Sequence, residues 1–305
     1  MGTLVAMHYP TKLAFGLADH TYVMCGTGGK AWSCWGGKTG GAVLRSGSGS
    51  TSQADAIAAP NERAGVTCYL INGVCHQAAN RILFPAGILV TGAKGYGVSS
   101  ALFGPYGRPR GPLGTCSAPF NQHTGITGDL PACIAPTAGV KAADYARSPQ
   151  EEAYITRVTQ AYQQVNVSGL NASTQLRSSK RAKTGKRKPA RHEGMLTDFM
   201  LELFDYQIDF KLSKQIDATR HGQLRDLRAS TEKTRIDLEN QFANRDIPVM
   251  EFVLRSDLET IAFQKQAARV LTPAQYEALF DLKPGQFVGL ADPEIVPKAY
   301  PQLAL

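Results

Sequence analysis

The sequence predicts an α+β protein: a small antiparallel sheet packed on a cysteine-bearing helix, followed by a separate helical region. Three observations predict it. Short β-prone runs separated by glycine turns fill the first half. One run there, residues 74–83, places Val74, Ala78 and Ile82 four apart, with Cys75 and Ala79 beside them, as one face of a helix requires. From residue 195 onward apolar side chains recur every three or four positions among many charges.

The β elements come first. His20-Thr21-Tyr22-Val23-Met24-Cys25 reads as a strand, and Gly26-Thr27-Gly28-Gly29 as the turn that follows it. Lys30 to Trp35 returns as a second strand, ended by Gly36-Gly37. Val43 and Leu44 start a further strand before a Ser/Gly-rich loop at 46–52. Asn72-Gly73 breaks an apolar run, and helix 74–83 follows with Asn72 as its expected N-cap and Pro85 as its stop. Residues 88–91 read as one more strand, and 104–112 as loop.

The charges divide the chain further. Residues 1–145 carry 10 basic and 5 acidic side chains, and form the first domain. Residues 146–192 carry 10 and 2, and read as a helix at 148–165 followed by a flexible linker with a basic run at 180–188. Residues 193–305 carry 13 and 18, and read as a helical accessory region. The net charge of +8 is thus a linker property, which implies weak contact with polyanions through 180–188 and not a nucleic-acid-binding fold. Within the helical region, 211–245 is charged with sparse apolar positions, which suits a long hairpin or coiled-coil-like arm for a homo-oligomer or protein partner. Thr272-Pro273-Ala274-Gln275 is a capping box opening a last helix towards Leu282.

No run of apolar residues is long enough for a membrane-spanning helix. The N-terminus lacks the charged and apolar regions of a signal peptide, so a cytoplasmic location is the default. Reduced thiols are then expected for Cys25, Cys34, Cys68, Cys75, Cys116 and Cys133. Neither Cys25 with Cys34 nor Cys68 with Cys75 has zinc-ligand spacing, and the glycine turn at 26–29 lacks the Lys-Ser/Thr of a phosphate loop. No cofactor and no metal is expected.

The chemistry-bearing feature is Cys75 at a helix start, downstream of His20 on a strand. The positive end of a helix and its free N–H groups favour a thiolate and can hold an oxyanion. A strand-borne imidazole would act as base and then acid. His76, next to Cys75, is expected to bond locally.

This order of residues resembles the circularly permuted branch of the papain-like NlpC/P60 superfamily, which includes the lecithin:retinol acyltransferase-like proteins. The resemblance rests on His-Thr-Tyr-Val-Met-Cys around His20 and Asn-Gly-Val-Cys-His-Gln-Ala-Ala-Asn-Arg around Cys75, within residues 15–92. It implies a papain-like fold, Cys75 as nucleophile and His20 as base. It also implies a polar third residue on the following strand, where this chain has Ser33 in place of the usual Asn, Asp, His or Gln. The expected activity is a hydrolase or acyltransferase on a peptide, amide or acyl substrate, through a thioester. Two other readings stand beside it. One is a non-enzymatic binding or assembly protein with structural cysteines and an oligomerising helical arm. The other is a metal held by Cys and His of the first half.

Overall fold

The computed structural model describes residues 2–11, 17–26, 28–58, 64, 66, 69–107, 191–292 and 295–300. The helix expected at 148–165, the basic run at 180–188, and Cys68, Cys116 and Cys133 lie outside the described residues.

Four antiparallel strands form one sheet: β1 (Gly2–Pro10), β2 (Asp19–Cys25), β3 (Ala31–Trp32) and β4 (Ala42–Gly49), in the order β3-β2-β1-β4. The β2–β3 hairpin pairs Val23 with Trp32 and Met24 with Ala31, and turns through the glycine run as expected. β1 takes the centre. Leu4 and Ala6 lie opposite Cys25 and Val23, and these side chains with Trp32 make the sheet's buried face. The Ser/Gly-rich stretch at 46–52 is not a loop. Ser46–Gly49 continues β4 against β1, and α1 (Thr51–Ala58) begins directly after it. Small residues are needed there, because a Cβ on Gly49 would meet the Pro85–Ala86 backbone at 2.9–3.0 Å.

The cysteine-bearing helix α2 (Cys75–Ile82) packs on β2 and α1. Its N-cap is Val74 and not Asn72. Gln77 supplies the cap from inside the helix, its Oε1 accepting the Val74 N–H at 3.1 Å. α2 is buried on every side, including its polar face. Backbone carbonyls satisfy those polar groups: Gln77 Nε2 donates to Gly104 O (3.1 Å), Asn80 Nδ2 to Pro105 O (2.6 Å), and Arg81 to Ala64 O (2.8 Å) and Tyr106 O. No strand forms at 88–91, where the Val90 N–H is taken by Asn80 Oδ1 at 2.8 Å. α3 (Tyr96–Phe103) follows, ending just before the loop expected from residue 104.

The helical region consists of α4 (Arg191–Leu212), α5 (Ala218–Ala243), α6 (Val249–Val270), α7 (Pro273–Phe280) and the short α8 (Val296–Ala299). The capping box that opens α7 is present, with Thr272 Oγ1 accepting Gln275 N–H and Gln275 Oε1 accepting Thr272 N–H. α5 and α6 make a long hairpin, closed by Phe242 stacked on Phe252 at 4.5 Å, whereas the stretch 211–245 expected to form a hairpin or arm holds the end of α4 and the single helix α5. It does not project as an arm. The helical region shares one hydrophobic core with α2 and α3. Gln207 Nε2 donates to Gly97 O (3.0 Å), and a Cβ on Gly97 would lie 2.5 Å from Leu279 O, so α3 and α7 touch backbone to backbone.

The inward stripe of α5 is ionic. Arg228, Glu232, Arg235 and Glu239 are all buried and pair in sequence: Arg228–Glu232 at 3.0 Å, Arg235–Glu232 at 3.5 Å and Arg235–Glu239 at 2.6 Å. Their outer donors reach back to the first half. Arg228 donates to Leu102 O, and Arg235 to Leu70 O and Ile71 O. Among the described residues no helix is long and apolar enough to cross a membrane.

Candidate active site

The site is built on one edge of β2. The Cys25 N–H bonds Lys30 O across the hairpin turn, so Val23, Thr21 and Asp19 aim their backbone groups to that same side. β3 pairs only with Val23 and Met24, which leaves the edge open at Thr21 and Asp19. The N-terminus of α2 fills the opening. Cys75 Sγ lies 3.9 Å from Asp19 O and faces the backbone and hydroxyl of Thr21. The sulfur therefore meets the two residues that flank His20, but no hydrogen bond joins it to the imidazole, which turns to the other face of β2 beside Tyr9 and Tyr22.

His76 closes the same junction. Its Nε2 donates to Asp19 O at 3.0 Å and its Nδ1 accepts from Ser99 Oγ at 2.8 Å, which ties α2 to both β2 and α3. With both ring nitrogens occupied, His76 holds structure, and its partners lie 57 and 23 residues away and not locally as expected.

His20 is fixed by the loop after β3. Its Nε2 lies 3.1 Å from Gly37 O and 3.0 Å from Ser33 Oγ. A carbonyl oxygen only accepts, and Ser33 Oγ spends its proton on Trp35 O at 3.2 Å. Nε2 therefore carries the proton, and Nδ1 keeps the lone pair that a base needs. Ser33 thus touches the ring from just beyond β3. The second holder, Gly37 O, went unnoticed, as did Tyr9, whose ring centre is 5.0 Å from the imidazole and whose hydroxyl donates to the same Gly37 oxygen. The glycine pair that ends the hairpin was the available signal. At Gly36, φ is +101° and a Cβ would stand 3.2 Å from His20 Cε1. Gly36→Ala is expected to cost about 1–3 kcal/mol through backbone strain, and to loosen the imidazole. Urea unfolding and the His20 ring resonances would read both effects.

Burial sets the protonation states. The Cys75 thiol is pushed up to about 11 by burial, against smaller downward pulls from the Thr21 backbone and hydroxyl and the His76 N–H, and with an upward push from the Asp292 carboxylate. The expectation that the helix terminus makes a resting thiolate is thus corrected: loss of water outweighs the helix end. Burial likewise lowers His20 to about 4, with Gly37 O opposing. At neutral pH the pair is a neutral thiol and a neutral imidazole. Cys75 is 5% exposed and His20 3%, so the site is closed.

Cys25 and Cys34 are also buried cysteines. Among the described residues no group of three His, Cys, Asp or Glu is arranged to hold a metal ion. No family model, curated protein or solved structure matches this chain.

Proposed function

We propose that this chain is a cysteine-nucleophile hydrolase or acyltransferase acting on an amide, peptide or acyl substrate. Cys75 is the nucleophile, His20 the base and acid, and Ser33 the group that orients the ring. One observation carries the reading. His20 is held at Nε2 by Ser33 and Gly37, which reserves Nδ1 for a proton, while the Cys75 sulfur lies against the backbone on both sides of that same histidine. The order of strand histidine and helix cysteine also resembles the NlpC/P60 superfamily.

With both groups neutral, attack is base-assisted and needs no preformed ion pair. The Cys75 side chain has to turn from Asp19 O towards the imidazole, and the thiol proton then passes to His20 Nδ1 as sulfur bonds to the substrate carbonyl carbon. The resulting oxyanion faces the N–H groups at the start of α2. Collapse breaks the bond to the amine or alcohol, which leaves with the proton from His20. Water or an acceptor nucleophile then cleaves the thioester. The substrate has to displace the residues that seal the site.

p-Nitrophenyl acetate tests this. The wild-type chain is expected to release a burst of nitrophenolate of about one equivalent per chain. Cys75→Ser and His20→Gln are expected to reduce the burst rate at least about a hundredfold, and Ser33→Ala by less. A burst that survives Cys75→Ser would overturn the reading.

The burial of the sulfur favours a second reading, in which Cys75 is a core residue of a non-enzymatic binding or assembly protein. Under it the chain shows no burst and Cys75→Ala changes stability alone.

A further inference from the structure

We propose that the outward face of α6 is a self-association surface that pairs antiparallel with α6 of a second copy of this chain. α6 is amphipathic in an unusual sense. Its inner side buries Phe252, Val253, Phe263 and Ala267 in the common core. Its outer side leaves Met250, Leu254 and Leu258 exposed at 50%, 60% and 57%. Among the described residues these three and Val43 are the large apolar side chains most open to water. Single exposed apolar residues need no explanation, but three at four-residue intervals on one helix make a stripe.

The stripe has a coiled-coil spacing. Glu251, Leu254, Leu258, Ile261, Lys265 and Ala268 follow one another at alternating steps of three and four residues. At 100° per residue the members from Glu251 to Lys265 lie within about 60° of a line through Leu258. The seam is apolar in its middle and charged at both ends, acidic at Glu251 and basic at Lys265. Lys265 is steadied there, its ammonium 5.6 Å from the centre of the Phe287 ring.

This charge order selects the occupant and its direction. A second copy laid parallel sets Glu251 against Glu251 and Lys265 against Lys265. A second copy laid antiparallel about Leu258 sets Glu251 against Lys265 twice, Leu258 against Leu258, and Leu254 against Ala262. The pairing is self-complementary, as a two-fold interface requires. The seam is only about 21 Å long, so the area is small and the dimer weak, with Kd on the order of micromolar.

Sedimentation equilibrium of the full chain measures this. The wild type is expected to move from monomer to dimer as concentration rises to about 100 µM. Leu258→Glu is expected to hold it monomeric, with circular dichroism confirming that the helices remain. Glu251→Lys and Lys265→Glu are each expected to weaken the dimer about tenfold. Their combination in one chain is expected to restore it, and an equimolar mixture of the two single variants to form a heterodimer about as strong as that double variant, because both assemblies carry two opposite-charge pairs. A wild type that stays monomeric at about 100 µM, or a double charge exchange no better than either single change, would overturn the proposal.

Discussion

Glu232→Gln is expected to lower the stability of the whole chain by about 3–5 kcal/mol, with little change in side-chain volume. Glu232 is fully buried and its Oε2 lies 3.0 Å from Arg228 and 3.5 Å from Arg235. The buried stripe holds two guanidinium and two carboxylate groups, which balance. Removing one carboxylate leaves a buried positive charge with no counter-charge, and that uncompensated ion is the main cost. The effect reaches beyond α5, because Arg228 and Arg235 also hold the carbonyls of Leu102, Leu70 and Ile71. Leu70 sits at φ +68°, a strained conformation for a leucine. A weakened Arg235 releases the turn that leads into Cys75. Urea unfolding at neutral pH should show one transition at a lower midpoint. A midpoint equal to wild type would contradict the description of this stripe as a charge-balanced buried network.

Acid is expected to unfold the protein through two histidines. His20 and His76 are both lowered to about 4 by burial, from an ordinary value of 6.5. The unfolded chain takes up their protons first. The stability they contribute is therefore complete above pH 6.5 and is lost as pH falls towards 4. Each histidine is worth about 3 kcal/mol across that window. Asp257 works in the opposite direction. Burial raises it to about 6 against hydrogen bonds from Ala291 and Leu290. Its folded form prefers the proton, so stability is gained as pH falls through 6 and the loss from the histidines is partly offset. Unfolding free energies measured from pH 7 to pH 4 should fall, and His76→Gln should remove about 3 kcal/mol of that fall, which is most of what remains after the Asp257 offset. A His76→Gln slope equal to wild type would contradict the assignment.

How much of this was legible depends on what each residue meets. The β2–β3 hairpin, α2 and α7 were readable because turn glycines, a four-residue apolar period and a capping box are local signals. β1 was not read, although Leu4 and Ala6 alternate inward, because its outward positions Val5 and Met7 are also apolar and blur the period of two. Glycine at 47 and 49 looked like loop, yet each sits where β4 passes close to the Pro85–Ile88 backbone and side chains. The charged helix α5 was visible, but its pairing with α6 and its inner stripe were not. Arg228, Glu232, Arg235 and Glu239 recur at core spacing with charges where apolar residues are usual, and only the fold shows that they point inward. At the site, His20, Ser33 and Cys75 could be named from residue type and order. Their protonation could not, since burial by residues far along the chain sets it.

Peptide mapping after brief exposure to p-nitrophenyl acetate tests the central claim most directly. The account predicts one acetyl group on the Cys75 sulfur, absent when His20 is replaced by glutamine, with Cys25 and Cys34 unmodified. Acetylation spread over several thiols, or a chain that stays unmodified at Cys75 while the ester is turned over, would contradict it.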